Sequence, residues 1–251
     1  MYWDQLTSGQ IDQVDKSIPV LLPVAATEQH GPHLPLSTDR MIGEHFCTEL
    51  DKKQPDDVLI LPTIGVGCSE HHLDFPGSLS VQHETLLRTI TDQVSSVIHH
   101  GFRHVIVFNS HGGNQAIGQT FVETFGYRQP TCKIVLITWW RIASEALQRI
   151  SEAGPGGTGH AGELETSLML LIAPHLVHKD VIPKKANSPS FDWASGDLLG
   201  GPRASYYRSM KELTPTGVYG DPGFGSEEKG REITESVITA LVAILNDISQ
   251  S

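Results

Sequence analysis

Cysteine is scarce in this 251-residue chain: Cys47, Cys68 and Cys132 are its only thiols, odd in number and far apart. They suggest neither a disulfide framework nor a cysteine zinc cage, and point to a reducing cytoplasm. Positive charge is short as well. The 18 lysines and arginines face 29 acidic residues, a formal charge of −11, and no run of basic side chains occurs. This argues against a nucleic-acid partner, which needs a basic stripe, and favours a small or neutral substrate. No apolar stretch approaches the roughly 20 residues that cross a bilayer. Met1 is followed by Tyr-Trp-Asp-Gln rather than by a basic and then apolar leader, so the expectation is a soluble, unprocessed protein without a membrane partner. Ser110 lacks the Gly-x-Ser-x-Gly elbow of a serine hydrolase, and no fixed zinc-binding expression is matched. Internal repeats and an interdomain linker are missing too.

What is present describes one globular α/β domain spanning residues 1–251. Hydrophobic residues make up 39% and charged residues 19%, while 24 glycines and 15 prolines imply many turns. Short apolar runs at Ile18–Ala25, Val58–Leu61, Val105–Phe108 and Lys133–Thr138 read as buried strands. Between them, Met41–Leu50, Glu84–His100 and Gln115–Gly126 carry apolar residues at helical spacing, and Glu227–Ser249 closes the chain as an amphipathic helix. Trp3–Lys16 suggests a short polar helix. Strict alternation of strand and helix favours a largely parallel sheet with helices on both faces. Pro174–Pro222, rich in Pro, Ser, Gly, Lys and Tyr, reads as an excursion packed on the domain or against a second subunit.

Chemistry concentrates just after the strands, on the edge where open α/β sheets bind ligands. The loop after the first strand holds Glu28 and His30, two apart and so on one side of an extended segment. Gly31-Pro32 then turns the chain and lets Asp39 return toward them. Imidazole and carboxylate together suit zinc, manganese or iron, and an aspartate can bridge two ions. An ordinary polar loop, with Glu28 capping a helix and His30 and His33 solvated, is the alternative. Other strand ends present His71 and His72, then His111 in Asn109-Ser-His-Gly-Gly-Asn114, then Trp139 and Trp140. Further on, His160 stands on a glycine-rich loop before a helix whose first turns carry Glu163, Glu165 and Thr166. Either glutamate taken singly reads as a capping or dipole partner; His160 reads as a general acid or base.

Taken together, Thr27-Glu-Gln-His-Gly-Pro-His-Leu-Pro-Leu-Ser-Thr-Asp39, His71-His-Leu-Asp-Phe-Pro-Gly77, Asn109-Ser-His-Gly-Gly-Asn114, His160-Ala-Gly-Glu-Leu-Glu-Thr-Ser167 and Thr216-Gly-Val-Tyr-Gly-Asp-Pro222 resemble the creatininase (creatinine amidohydrolase) family. The resemblance implies a single α/β domain, two divalent metal ions with zinc foremost and manganese or iron as alternatives, hydrolysis of non-peptide C–N bonds, and a homo-oligomer, often a hexamer. Carried over by motif, Glu28 and His111 would hold one ion, His30 the other, and Asp39 would bridge them. Authentic creatininases have a metal-binding glutamate where this chain has Gly113. They also have a glutamate at the position of Gly159 and a tryptophan at that of Gly156, so creatinine itself is not the expected substrate. Glu163 is expected to replace the missing ligand beside His30, and Glu165 to support a ligand or the loop by hydrogen bonding. This variant resembles the branch containing pyrimidine formamide deformylases and mycofactocin-maturation proteins. Trp140 and His72 are the expected substrate-binding residues. His160 is the expected catalytic group, passing a proton to the departing nitrogen. A metal-binding chaperone or scaffold without turnover is the rival.

Overall fold

Four strands, β1 (Val20–Val24), β2 (Leu59–Ile60), β3 (His104–Asn109) and β4 (Lys133–Thr138), lie side by side in a wholly parallel sheet of order β2-β1-β3-β4. The computed structural model describes residues 1–154, 156–184, 191, 193, 197–200 and 204–250, excluding the side chain of Gln250. Parallel strands need cover on both faces, and the sequence supplies it through the strands' period of two. Leu21, Ile106, Phe108 and Ile137 point into one core, while Val20, Leu22, Val24, Val105 and Val107 point into the other.

Helices α1 (Ser8–Gln13), α2 (Thr38–Lys53), α3 (His83–His99), α4 (Gln115–Arg128), α5 (Trp139–Ile142), α6 (Ser144–Ile150), α7 (Glu163–Ile172), α8 (Met210–Leu213) and α9 (Glu227–Gln250) complete the described chain. Ile42, Phe46 and Leu50, at four-residue spacing on α2, share the first core with Leu164 and Leu168 of α7 and Ile233, Val237, Leu241 and Leu245 of α9. Leu86, Ile90, Val94 and Val97 of α3 and Phe121 and Phe125 of α4 fill the second. Helix α7 is buried from Glu163 to Leu170 because it is enclosed between neighbours rather than laid on the surface.

The expected strands are all present, with shorter ends. β2 is cut to Leu59–Ile60, whose ladder partners are Val20 and Leu21, with Ile60 also bridged to Tyr2 on its other side. Helix α2 starts at Thr38, ahead of the expected Met41, which places Asp39 in its first turn. The tract expected to be an excursion lies partly outside the described residues. Its described part includes turns at Pro174–Leu176 and Lys179–Val181 and helix α8. No described helix is long and apolar enough to cross a membrane. Val24 pairs with Asn109 and Asn109 with Thr138, so β1, β3 and β4 end level and their loops share one edge.

Candidate metal centre

That level edge brings together side chains far apart in sequence. The chain leaves β1, curls through a bridge between His30 and Leu34, and re-enters a helix at Thr38, so Asp39 faces back toward Glu28 and His30. From the end of β3, His111 enters the same space. Asn109 shapes that loop by accepting from the His111 N–H at 3.1 Å and donating to the His111 carbonyl at 2.8 Å. The two oxygens of Asp39 divide between the imidazoles: Oδ1 is 3.4 Å from His30 Nε2 and Oδ2 is 3.2 Å from His111 Nδ1. Glu28 Oε1 lies 3.3 Å from His111 Nδ1.

All these groups are buried, Glu28 and His30 completely, and Glu28 Oε1 and Oε2, His30 Nε2 and Asp39 Oδ2 have no hydrogen-bond partner. Orphaned buried carboxylate oxygens are costly unless a cation meets them. The outward ring nitrogens fix the tautomers. His30 Nδ1–H donates to the Glu28 carbonyl at 3.1 Å and His111 Nε2–H donates to the Cys68 carbonyl at 3.0 Å. Each ring therefore turns its other nitrogen, with a lone pair once deprotonated, toward the carboxylates, as metal-binding histidines do. The donor set and its orphaned atoms fit a divalent ion.

Electrostatics describe the same centre from the proton's side. Burial works against charge on His30 and His111, but Asp39 for the first and Glu28 with Asp39 for the second outweigh it, raising them to about 10 and about 9. Burial also raises Glu28 and Glu165, with Asp39 adding to it against the pull of the imidazoles. Asp39 is held well below its usual range because, despite burial, His30 and His111 both face it.

The neighbouring carboxylates of α7 part company, since residues two apart on a helix diverge by about 200°. Glu165 turns inward: its Oε2 accepts from the Ala161 N–H at 2.6 Å and lies 3.9 Å from His30 Nε2, forming a donor group with His30 and His160. Ala161 adopts φ 52° to make that turn, a left-handed conformation held by the surrounding loop. Glu163, the expected ligand, points elsewhere. Its carboxylate accepts from Lys229 Nζ, Ser151 Oγ and the backbone N–H groups of Glu152 and Ala153, and these pull it below its usual range against the effect of burial. The geometry thus gives Glu165 the place expected of Glu163, and Glu163 the supporting one. Gly113 and Gly159 cannot carry a side chain here: a Cβ would come 2.1 Å from the Cys68 carbonyl at the first and 1.9 Å from the Tyr219 carbonyl at the second.

His160 reaches the group from its loop, Nε2–H donating to the Gln29 carbonyl at 2.7 Å and Nδ1 lying 3.6 Å from Glu28 Oε1. Burial, then the neighbouring His30, keeps this imidazole neutral. His72 sits beneath the centre rather than on a substrate surface. Its Nδ1 accepts from Gln29 Nε2 at 2.8 Å, so Nε2 carries the proton and lies 3.2 Å from Glu28 Oε1 without hydrogen-bond alignment. Trp140 does line a cavity of about 670 Å³ beside the centre, together with His71, Gly113, Tyr206, Tyr207 and Tyr219. His33 is buried, not solvated, with Nε2 3.0 Å from Thr166 Oγ1.

Sequence reasoning gave no role to Gln29 or Asn114. Gln29 accepts from Gly31 N and donates to Gly217 O and His72. Asn114 joins the loops by accepting from Cys68 N at 2.9 Å and donating to Ala25 O at 3.1 Å. Gln29 lies between Glu28 and His30, where alternation gives no sign of a role; Asn114 ends a motif whose histidine drew the attention.

The chain matches the creatininase family, described as creatinine amidohydrolase, over residues 4–245. It is 31% identical to the mycofactocin precursor peptide peptidase of Mycobacterium ulcerans over 247 residues, covering 94% of this chain and 87% of that protein. To the 3-dehydro-scyllo-inosose hydrolase of Thermotoga maritima it is 26% identical over 263 residues, 100% and 84% of the two chains. A solved structure described as creatininase Mn shares the fold, with a TM-score of 0.83 at 21% identity over 98% of this chain and 97% of that one.

Proposed function

The chain belongs to the creatininase family, and from that premise we propose that it is an amidohydrolase using two divalent ions to cleave a cyclic amide or formamide C–N bond. The observation that carries the reading is the convergence of buried, unpartnered Glu28, His30 and Asp39 atoms on one point. In this assignment Glu28 and His111 would hold one ion and His30 and Glu165 the other, with Asp39, whose oxygens divide between the two imidazoles, available to both. Carboxylate and imidazole donors suit zinc foremost, with manganese or iron as alternatives. Ions in such a pair supply Lewis acidity and a water acidified to near neutral pH.

The protein's own groups do the rest. His160 Nδ1, neutral and within reach of the centre, accepts a proton from the attacking water and returns it to the departing nitrogen. Its Nε2–H bond to the Gln29 carbonyl holds the ring in the tautomer this requires. Trp140 offers a flat wall to a planar, nitrogen-rich substrate, and His72 packs beside Glu28. Assembly as a homo-oligomer, a hexamer by resemblance, belongs to the same reading and is checked by sedimentation.

A second reading, hydrolysis of an amide within a peptide, is favoured by the relative described as a peptidase and by a cavity that extends to Tyr206 and Tyr207. Metal-loaded protein assayed against cyclic ureides, lactams, formamidopyrimidines and short peptides decides between them. Turnover of a ring or formamide, lost in His160→Ala with metal retained, supports the first. Turnover of peptides alone supports the second, and no turnover of any class by fully loaded protein counts against both.

A further inference from the structure

We propose that His71 is a further protein ligand of the ion held by Glu28 and His111, approaching from the substrate cavity. The inference rests on the reading of the site as a metal centre. Glu70–His72 form one turn of 3-10 helix, in which successive side chains point about 120° apart, so adjacent histidines meet the centre from different directions. Their hydrogen bonding separates them further. His72 has no lone pair to give, because Nδ1 accepts from Gln29 and Nε2 carries the proton; the Gln29 amide is oriented by the Gly31 N–H donating to its oxygen at 2.9 Å. His71 makes no hydrogen bond to a described residue through either ring nitrogen.

A His71 ring nitrogen nevertheless lies within 4.8 Å of both a Glu28 carboxylate oxygen and a His111 ring nitrogen. The His71 and His111 rings are nearly parallel, 13° apart with centroids separated by 5.8 Å. Donors around one tetrahedral ion at bond lengths of about 2.0–2.1 Å sit about 3.3 Å apart. Glu28, Asp39 and His111 already show 3.2 and 3.3 Å separations. His71 needs only to close from the cavity side, where it lines open space. Gly113 makes the approach possible: a Cβ there would lie 3.0 Å from His71 Cε1 and 2.5 Å from His111 Nε2.

The test uses the full chain, stripped with chelator and reloaded with cobalt(II) alone, followed by bound-metal analysis, chelator competition and the visible cobalt spectrum. His71→Ala is expected to bind one of the two ions about tenfold or more weakly and to change the cobalt band. His83→Ala, an exposed histidine lining the same cavity, serves as the control and should keep both ions. His71→Cys adds a positive readout, a thiolate-to-cobalt charge-transfer band, and keeps the test decisive should His71→Ala fail to fold. Wild-type affinity and spectrum in His71→Ala, or no charge-transfer band in folded His71→Cys, overturns the proposal while leaving the metal centre standing. Wild-type protein that takes up no cobalt overturns the metal centre and this ligand together.

Discussion

The two glutamates at the start of α7 show how much a single residue's direction decides. Glu165→Gln removes a donor facing His30, and metal analysis is expected to find one ion lost with the Glu28/His111 ion retained. Glu163→Gln should keep both ions and instead loosen the 151–153 segment and its tie to α9, because the Lys229, Ser151 and backbone donors lose a charged acceptor. Leaving such groups poorly satisfied costs about 1–3 kcal/mol, read as a lower melting temperature. The reverse pattern of metal loss would exchange the roles. Protons and ions compete at the same atoms, so affinity must depend on pH. With His30 raised to about 10 and His111 to about 9 in the metal-free chain, both gain protons as pH falls and must release them to bind. Metal affinity should therefore rise with pH through neutrality and level off only near those values, by about tenfold per pH unit for each proton displaced. Chelator competition across about pH 6–8 measures the slope, and a flat profile would refute the ligand assignment.

At the scale of elements, the centre depends on loops from three strands staying aligned, and Asn114 is the side chain that ties them. It bonds the Cys68 N–H of the loop after β2 and the Ala25 carbonyl after β1 from the turn that opens α4. Asn114→Ala leaves both buried backbone groups without these partners, at a cost of about 1–3 kcal/mol. Faster amide exchange at Cys68 and weaker metal binding should accompany the loss of stability, since the Cys68 carbonyl also orients His111. Unchanged exchange at Cys68 would show that the loops align without it.

For the molecule as a whole, the candidate centre concentrates buried acidic groups. Glu28, Asp39 and Glu165 bury carboxylates close together, and their mutual repulsion is relieved only partly by the imidazoles. Metal that binds the folded chain alone stabilises it by mass action, about 2.7 kcal/mol at a hundred times the dissociation constant. For a chain of this length that corresponds to a rise of about 5–10 °C in melting temperature on adding zinc to stripped protein. Calorimetry showing no dependence on zinc concentration would remove the thermodynamic basis of the site.

The architecture was legible in the residues because its signals are local. Apolar runs such as Val105–Phe108, helical spacing such as Ile42, Phe46 and Leu50, and the order of strand and helix suffice to specify a parallel sheet and which edge carries the chemistry. Glu28, His30, Asp39, His111 and His160 were legible for a related reason: each stands in a short motif just beyond a strand or before a helix. Which way a side chain turns is not a local property. Glu163 and Glu165 have the same composition around them, and only the packing of α7 between α2 and α9, with Lys229 arriving from α9, draws one carboxylate outward and leaves the other facing His30. The adjacent His71 and His72 are likewise indistinguishable as letters. Tertiary structure separates them, because Gln29 reaches across from another loop to occupy one ring while the other remains open to the cavity.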